Sequence, residues 1–283
     1  MDQKIVKLCE EYNKGLMNRR LFLKNLTVLA GGTAAAYALL PQLNLKAQIT
    51  PPNDPRLQME TIKYPGDKGD VQAYLAVPKG EQKLPGVVVI HENRGLNAHI
   101  EDVTRRMALE GFVALAPDAL SPLGGTPENS NEIRALFGKL DSASNIKNFV
   151  AAVKYLKTHP RSTGKVGCTG FCWGGGMTND VAVNSPDLIA AVPYYGRQPA
   201  VEDVPKIKAA LLLQYAGQDE RINQGIPAFE EALKKAKVEY QIYIYEGAAH
   251  AFNNDSNPSR YNKEAAELAW KRTIAFFKEK LKT

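Results

Sequence analysis

The sequence predicts an α/β fold, with a mostly parallel central sheet and helices on both of its faces. Two observations favour this fold class. From residue 57 onwards, short runs rich in β-branched residues alternate with longer segments of helical periodicity. Residues 86–90 form a continuous apolar run, which is typical of a strand that is buried on both faces.

The predicted elements follow one another in a regular order. Residues 61–64 and 71–77 come first and are expected to form a hairpin, because Gly66 and Gly69 stand between them. The other predicted strands are residues 86–90, 113–116, 165–169, 188–194, 209–215 and 240–245. The predicted helices are residues 100–109, 131–156 as one or two helices, 226–236 and 265–281.

The size and composition fit one large globular domain. The chain has 283 residues, of which 44% are hydrophobic and 23% charged. Its formal charge of +6 is concentrated at the start, because residues 1–47 hold seven Lys/Arg against three Asp/Glu. The remaining residues are nearly neutral and show no basic stripe, so we expect no nucleic-acid partner.

The first 47 residues resemble a twin-arginine export signal. The pair Arg19-Arg20 precedes an apolar run over residues 26–40, which is short for a membrane span of about 20 residues. We expect export to the periplasm through the export machinery, with cleavage near Ala47. An uncleaved membrane anchor and a buried N-terminal helix are the alternatives, and Met17 is a second candidate initiator. The predicted division is a leader (1–47), a linker (48–56) and one domain (57–283).

Two cysteines, Cys168 and Cys172, lie in the predicted domain, and their spacing differs from the redox C-x-x-C pattern. Gly170 and Gly174 flank Cys172 where a predicted strand passes into a helix. This G-x-C-x-G pattern is typical of a nucleophile elbow, whose tight turn needs small neighbours. We expect Cys172 to be a nucleophile whose thiolate is favoured by the start of the following helix. Cys168 is expected to be a core residue.

An acid and a histidine follow two later strands. Asp219 comes after the predicted strand 209–215, and His250 comes after the strand 240–245. The carboxyl ends of parallel strands meet at one edge of a sheet, so these side chains are expected near Cys172. The order nucleophile, acid, histidine is that of α/β-hydrolases, and it predicts a Cys-His-Asp triad.

No metal or cofactor is expected. The pair His91-Glu92 suggests a zinc motif at first sight. H-E-x-x-H would need a histidine where Gly95 stands, so the motif is not present.

Four segments resemble signatures of the dienelactone hydrolase family, and the similarity extends over nearly all of residues 57–283. They are Gly-Phe-Cys-Trp-Gly-Gly around Cys172, Gly-Gln-Asp ending at Asp219, His-Ala-Phe beginning at His250, and His-Glu-Asn-Arg-Gly-Leu-Asn beginning at His91. The resemblance implies an α/β-hydrolase fold and hydrolysis of an ester or lactone, as in carboxymethylenebutenolidases. It also implies that Glu92 meets the resting cysteine and participates in switching it to the thiolate.

The expected mechanism passes through an acyl-enzyme. The Cys172 thiolate attacks the ester carbonyl, and water activated through His250 hydrolyses the intermediate. The oxyanion is expected to accept hydrogen bonds from the backbone N–H groups of Trp173 and Asn93. The expected partner is a small-molecule ester or lactone, and the protein is expected to be a monomer.

The substrate prediction follows from a departure from the family. Dienelactone hydrolases that act on an anionic lactone hold its carboxylate with two arginines, one shortly after the Pro-Asp segment and one after His-Ala-Phe. Here Asp118 leads to Ala119-Leu120 and Phe252 leads to Asn253-Asn254, so neither arginine is present. Arg94 and Arg260 are the candidate replacements. We expect a neutral ester or lactone to be turned over at least as well as dienelactone.

Three other interpretations of the same motifs remain. The triad could belong to a thioesterase or a peptidase, since the pocket walls are not readable from the motifs. A non-catalytic homologue could retain the motifs and only bind a ligand. A thiol redox protein would use Cys168 and Cys172 together, although a cysteine inside a strand is badly placed for thiol exchange.

Overall fold

The computed structural model describes residues 2–13, 19–39, 43, 50–127 and 130–282. The chain divides into two compact units, Met1–Pro55 and Arg56–Thr283. Met17, the second candidate initiator, and Ala47, the predicted cleavage point, lie outside the described residues.

The described part of the first unit contains three helices. Its helices are α1 (Gln3–Asn13), α2 (Arg19–Leu29) and α3 (Thr33–Leu39). Phe22 and Leu26 of α2 are buried, and the ring of Tyr12 lies 4.5 Å from that of Phe22. Gly31 and Gly32 interrupt the predicted apolar run between α2 and α3. Within the described residues, no helix combines the length and the apolarity that a bilayer crossing requires.

The second unit alternates strands and helices, as the sequence predicts. The strands are β1 (Leu57–Gly66), β2 (Gly69–Pro78), β3 (Leu84–Ile90), β4 (Val113–Pro117), β5 (Ser162–Phe171), β6 (Leu188–Tyr194), β7 (Ala210–Ala216) and β8 (Tyr240–Tyr245). The helices are α4 (Ala98–Leu109), α5 (Ser130–Phe137), α6 (Ser142–Thr158), α7 (Trp173–Asn184), α8 (Glu220–Asn223), α9 (Ile226–Ala236) and α10 (Lys263–Lys280).

In the described part of this unit the strands form one eight-stranded sheet in the order β1-β2-β4-β3-β5-β6-β7-β8. β2 pairs antiparallel with β1 and with β4, and every other neighbouring pair is parallel. The carboxyl ends of β3, β5, β6, β7 and β8 therefore lie along one edge of the sheet. Loops at such an edge are where α/β proteins place reactive groups.

The core lies on both faces of the sheet. Val88 and Ile90 of β3 pack in a cluster with α6, α7 and α9, whereas the alternate residues Val87 and Val89 pack in a second cluster with α4 and α10. Both faces are thus covered by helices, which confirms the predicted fold class. A strand that buries both faces needs the continuous apolar run seen in β3.

The hairpin and the long helical segment differ in extent from their predictions. β1 and β2 pair continuously from Leu57↔Pro78 to Gly66↔Gly69, because backbone pairing continues through polar residues on the exposed face. The segment 131–156 forms two helices. Asp141 begins the second one by accepting a hydrogen bond from the N–H of Ser144 over 3.1 Å.

Gly167 in β5 allows α10 to pack closely on the sheet. A Cβ at this position would lie 2.7 Å from Cε1 of Phe277 and 3.1 Å from Leu281. We expect Gly167→Ala to lower the free energy of unfolding by about 1–3 kcal/mol, because the buried ring has no room to move. Urea denaturation measures this loss. Gly138→Ala is the control, since its new Cβ meets nothing closer than 3.5 Å; equal stability of the two variants would contradict the prediction.

Candidate active site

Cys172 occupies a sharp turn between β5 and α7. Its backbone has φ 57° and ψ −113°, a positive φ that residues with a Cβ seldom adopt. The Cys172 N–H donates to the carbonyl of Tyr194 over 3.1 Å, and its own carbonyl accepts the N–H of Gly176 over 3.1 Å. These bonds hold the turn, which presents a half-buried thiol at the carboxyl edge of the sheet.

The glycines on either side of Cys172 are required by close backbone approach. A Cβ on Gly174 would lie 2.5 Å from the carbonyl oxygen of Ile90, and a Cβ on Gly170 would lie 2.6 Å from Oγ1 of Thr178. Side chains at these positions would push α7 away from β3 and β5. The spacing in the sequence therefore reflects the packing of the turn.

Asp219 and His250 lie together at the same edge. The loops that carry them are joined by two backbone bonds, from Gly217 N–H to Tyr245 O over 2.8 Å and from Gln218 N–H to Ala248 O over 2.9 Å. Nδ1 of His250 lies 2.5 Å from Oδ2 of Asp219, and the carboxylate is buried. Because Asp219 engages Nδ1, Nε2 is the ring nitrogen available to exchange a proton with a reacting group.

Tyr195 connects the histidine to the cysteine turn. It follows β6 with φ 37°, and its ring centroid lies 5.0 Å from that of His250. Its hydroxyl is buried near the backbone of Asn253. Burial, followed by the charges of Glu92 and Cys172, raises the pKa of Tyr195 well above its usual value. Tyr195 thus has His250, Glu92 and Cys172 as neighbours.

Burial opposes the effect that was predicted for the helix start at Cys172. Burial raises its pKa to about 11, and the charge of Glu92 acts in the same direction. The Trp173 N–H and the charge of Arg221 lower the pKa, but by less. Desolvation therefore outweighs the helix end that was expected to favour thiolate. Among the described residues, no hydrogen bond joins the Cys172 sulfur to His250.

Glu92 is buried directly beyond β3 and is held by an amide. Its Oε2 accepts a hydrogen bond from Nδ2 of Asn254 over 2.7 Å. The amide orientation of Asn254 is set on its other side, because Oδ1 accepts the N–H of Ser256 over 3.0 Å and its hydroxyl over 2.5 Å. The donor that faces Glu92 is thus a neutral group.

The two predicted oxyanion donors are the N–H of Trp173 at the start of α7 and the N–H of Asn93 in the loop after β3. Trp173 is the first residue of α7, and its N–H acts on the Cys172 sulfur. The Asn93 N–H has no acceptor among the described residues. Arg94, the candidate substrate-binding residue, is exposed. Arg260 places its guanidinium 3.5 Å from the carbonyl oxygen of His250.

Cys168, the other cysteine of the predicted domain, lies in different surroundings from Cys172. Cys168 is fully buried in β5, where burial raises its pKa to about 12, and its sulfur lies 3.8 Å from Oγ1 of Thr178. Both Cys168 and Cys172 are free thiols. In the part of the chain that is described, no group of three or more His, Cys, Asp or Glu is arranged to hold a metal ion.

Three residues of the site were not predicted from the sequence. Tyr195 follows β6 at the same sheet edge, so its position after a buried strand was the available signal. Asn254 and Arg221 lie shortly after His250 and Asp219. Asn254 contacts Glu92, and the charge of Arg221 acts on Cys172. Both interactions depend on how the loops fold, and no sequence motif indicates them.

The chain matches known proteins over most of its length. Residues 71–281 match the dienelactone hydrolase family. A Saccharolobus solfataricus protein, named provisionally as a carboxymethylenebutenolidase, is 33% identical over 77% of this chain and 97% of its own length. An Escherichia coli protein with the same provisional name is 34% identical, with 76% and 84% covered. A crystal structure from Klebsiella pneumoniae, provisionally a dienelactone hydrolase, superposes with a TM-score of 0.71 at 28% identity, over 78% of this chain and 98% of that one.

The effect of Glu92 on the pKa of the Cys172 thiol can be tested by removing its charge. Because this charge raises the pKa of Cys172, Glu92→Gln should lower that pKa and increase the thiolate fraction at neutral pH. We expect iodoacetamide to label Cys172 roughly tenfold faster in this variant, the change for about one pKa unit. The rate is measured between pH 7 and 10, with the labelled residue mapped by mass spectrometry.

Glu246→Gln is the matched control for this experiment. Glu246 is exposed after β8 and is not among the charges that shift Cys172. Its removal should leave the labelling rate unchanged. Slower labelling in Glu92→Gln, or labelling mainly at Cys168, would contradict the description of the site.

Proposed function

Because this chain belongs to the dienelactone hydrolase family, it is a hydrolase, and we propose that it cleaves a small carboxylic ester or lactone with Cys172 as the nucleophile. The observation that carries this proposal is the 2.5 Å contact between His250 Nδ1 and Asp219 Oδ2, at the same sheet edge as the strained Cys172 turn. An imidazole oriented by an acid, beside a thiol, is the combination that nucleophilic acyl transfer requires.

In the first half of the reaction, Cys172 gives its proton to Nε2 of His250, and the thiolate attacks the carbonyl carbon. The carbonyl oxygen becomes an oxyanion, which accepts hydrogen bonds from the N–H groups of Trp173 and Asn93. Collapse of this intermediate breaks the bond to the alcohol oxygen, and the imidazolium returns the proton to it. An acyl-thioester on Cys172 remains.

In the second half, water attacks the thioester while Nε2 of His250 takes one of its protons. The second tetrahedral intermediate uses the same two donors. Its collapse releases the carboxylic acid, and the imidazolium returns a proton to the sulfur. Asp219 keeps the ring oriented and stabilises its charged form in both halves.

Glu92 is proposed as a catalytic accessory that controls when the thiol ionises. At rest its charge opposes formation of a thiolate on Cys172, in agreement with the raised pKa of about 11. A substrate that displaces or neutralises this carboxylate removes the opposition and allows the thiolate to form. The thiol would then be activated mainly when an ester is present.

Substitution of the triad tests this mechanism. We expect Cys172→Ala to abolish hydrolysis of a chromogenic acetate ester, because the acyl-enzyme has no atom on which to form. Asp219→Asn should lower kcat by about 10³- to 10⁴-fold, since the imidazole loses its orientation and the partner of its charged form. Steady-state kinetics on protein lacking residues 1–47 provides both values.

The control for this experiment is Cys168→Ala. Its thiol is fully buried and contacts Thr178, so its loss should leave kcat close to that of the wild type. If Cys168→Ala removed activity and Cys172→Ala did not, the proposed nucleophile would be wrong. A wild-type protein that binds an ester analogue without hydrolysing any ester would instead be a binding homologue.

We further propose that the substrate is neutral. The donor beside Glu92 is the uncharged amide of Asn254, and Arg221, whose charge acts on the thiol, is exposed. An exposed arginine in water is screened and holds a carboxylate weakly. The cleft therefore offers an anionic substrate little compensation for lost hydration.

A substrate panel tests this proposal. At least one neutral ester or lactone should reach a kcat/KM as high as that of dienelactone, because the exposed Arg221 would hold a substrate carboxylate only weakly. Arg221→Ala serves as the comparison and should leave the order of substrates unchanged. Faster turnover of dienelactone than of every neutral ester, lost selectively in Arg221→Ala, would identify Arg221 as the carboxylate-binding residue and overturn the prediction.

A further inference from the structure

The ring of His91 is fully buried directly beyond β3, and both of its nitrogens are engaged. The backbone N–H of Ala119 donates to Nε2 over 3.1 Å, and Nδ1 lies 2.6 Å from the carbonyl oxygen of Glu92. An N–H group can only donate, so Nε2 is the unprotonated nitrogen. Nδ1 therefore carries the proton and donates a hydrogen bond to the backbone carbonyl oxygen of Glu92. His91 is thus a neutral imidazole with a fixed tautomer.

The surroundings of His91 prevent its ring from turning. The Trp173 indole stacks on it, with ring centroids 5.6 Å apart and an interplanar angle of 14°. Phe137 meets it edge-on at 5.9 Å, and Asp118 Oδ1 lies 4.0 Å from Nε2. Burial lowers the pKa of His91, which keeps the ring neutral despite the nearby carboxylate.

The bond to Glu92 has a consequence for the next residue. The carbonyl of Glu92 and the N–H of Asn93 belong to one planar trans peptide unit, in which they point in opposite directions. Holding the carbonyl against Nδ1 of His91 therefore aims the Asn93 N–H away from the ring. That N–H has no acceptor among the described residues. His91 also contacts Trp173, the residue that supplies the second proposed oxyanion donor.

We propose that His91 is a positioning residue that sets the direction of the Asn93 N–H, and with it the geometry of the oxyanion hole. This inference rests on the proposed function, because it concerns the same acyl transfer. His91 does not touch the substrate in this scheme. It acts through the Glu92–Asn93 peptide, so it should influence the transition state more than the binding of the ester.

Two substitutions of His91 separate this role from simple packing. Phenylalanine keeps an aromatic ring against Trp173 but removes the donor to the Glu92 carbonyl. Asparagine gives up the ring but places an amide N–H near the position of Nδ1. Neither variant keeps a ring nitrogen at the Nε2 position to accept the Ala119 N–H. A packing role predicts that His91→Phe is the milder change, whereas the positioning role predicts the reverse.

The expected result is a split between chemistry and binding. With a chromogenic acetate ester, His91→Phe should lower kcat by about 10²- to 10³-fold, the usual effect of losing one oxyanion donor, while KM changes by less than about threefold. His91→Asn should keep kcat within about tenfold of the wild type. Iodoacetamide labelling of Cys172 needs no oxyanion hole and should proceed at similar rates in both variants.

A double-mutant cycle with Asn93→Pro provides a second measurement if His91→Asn does not fold. Proline removes the Asn93 N–H itself, so His91→Phe should cost little further activity in that background. The proposed role of His91 would be wrong if kcat for His91→Phe equalled or exceeded that for His91→Asn, or if the effects of His91→Phe and Asn93→Pro on kcat were independent. Either result would leave the proposed function standing. A wild-type protein that hydrolyses no ester would instead overturn the proposed function, and this inference with it.

Discussion

The site depends on one backbone constraint, the positive φ of Cys172 between β5 and α7. A residue with a Cβ adopts this conformation only where the surrounding structure holds it there. Here the Cys172 backbone is bonded to Tyr194 and Gly176, and the flanking glycines let α7 pack against β3 and β5. The same packing brings the first turn of α7 against the loop beyond β3, where Glu92 lies.

Charge and burial oppose each other around the thiol. The helix start and Arg221 favour a thiolate, but desolvation and Glu92 favour the neutral form and prevail. Glu92 is itself buried and receives a hydrogen bond from the neutral amide of Asn254. A cation in place of that amide would screen the carboxylate and weaken its effect on the sulfur. The ionisation of the thiol is thus set mainly by burial, and the charge of Glu92 acts in the same direction.

Local patterns predicted the framework of the protein better than its electrostatics. The apolar run in β3 and the glycines around Cys172 record backbone packing, and packing constrains residue type strongly enough to be recognised. The extent of the β1–β2 hairpin was underestimated, because its pairing continues through residues exposed on one face. The pKa of Cys172 and the neighbours of Tyr195 arise from segments distant in the chain, and no local pattern carries them. The leader and the export of the protein remain predictions.

The raised pKa of Cys172 also affects how readily its sulfur is oxidised. Hydrogen peroxide oxidises thiolates, and a cysteine with a pKa of about 11 is almost entirely protonated at neutral pH. Conversion to sulfenic acid between turnovers should consequently be slow. A cysteine that ionises mainly when substrate is bound is therefore a poor target for peroxide while the site is empty.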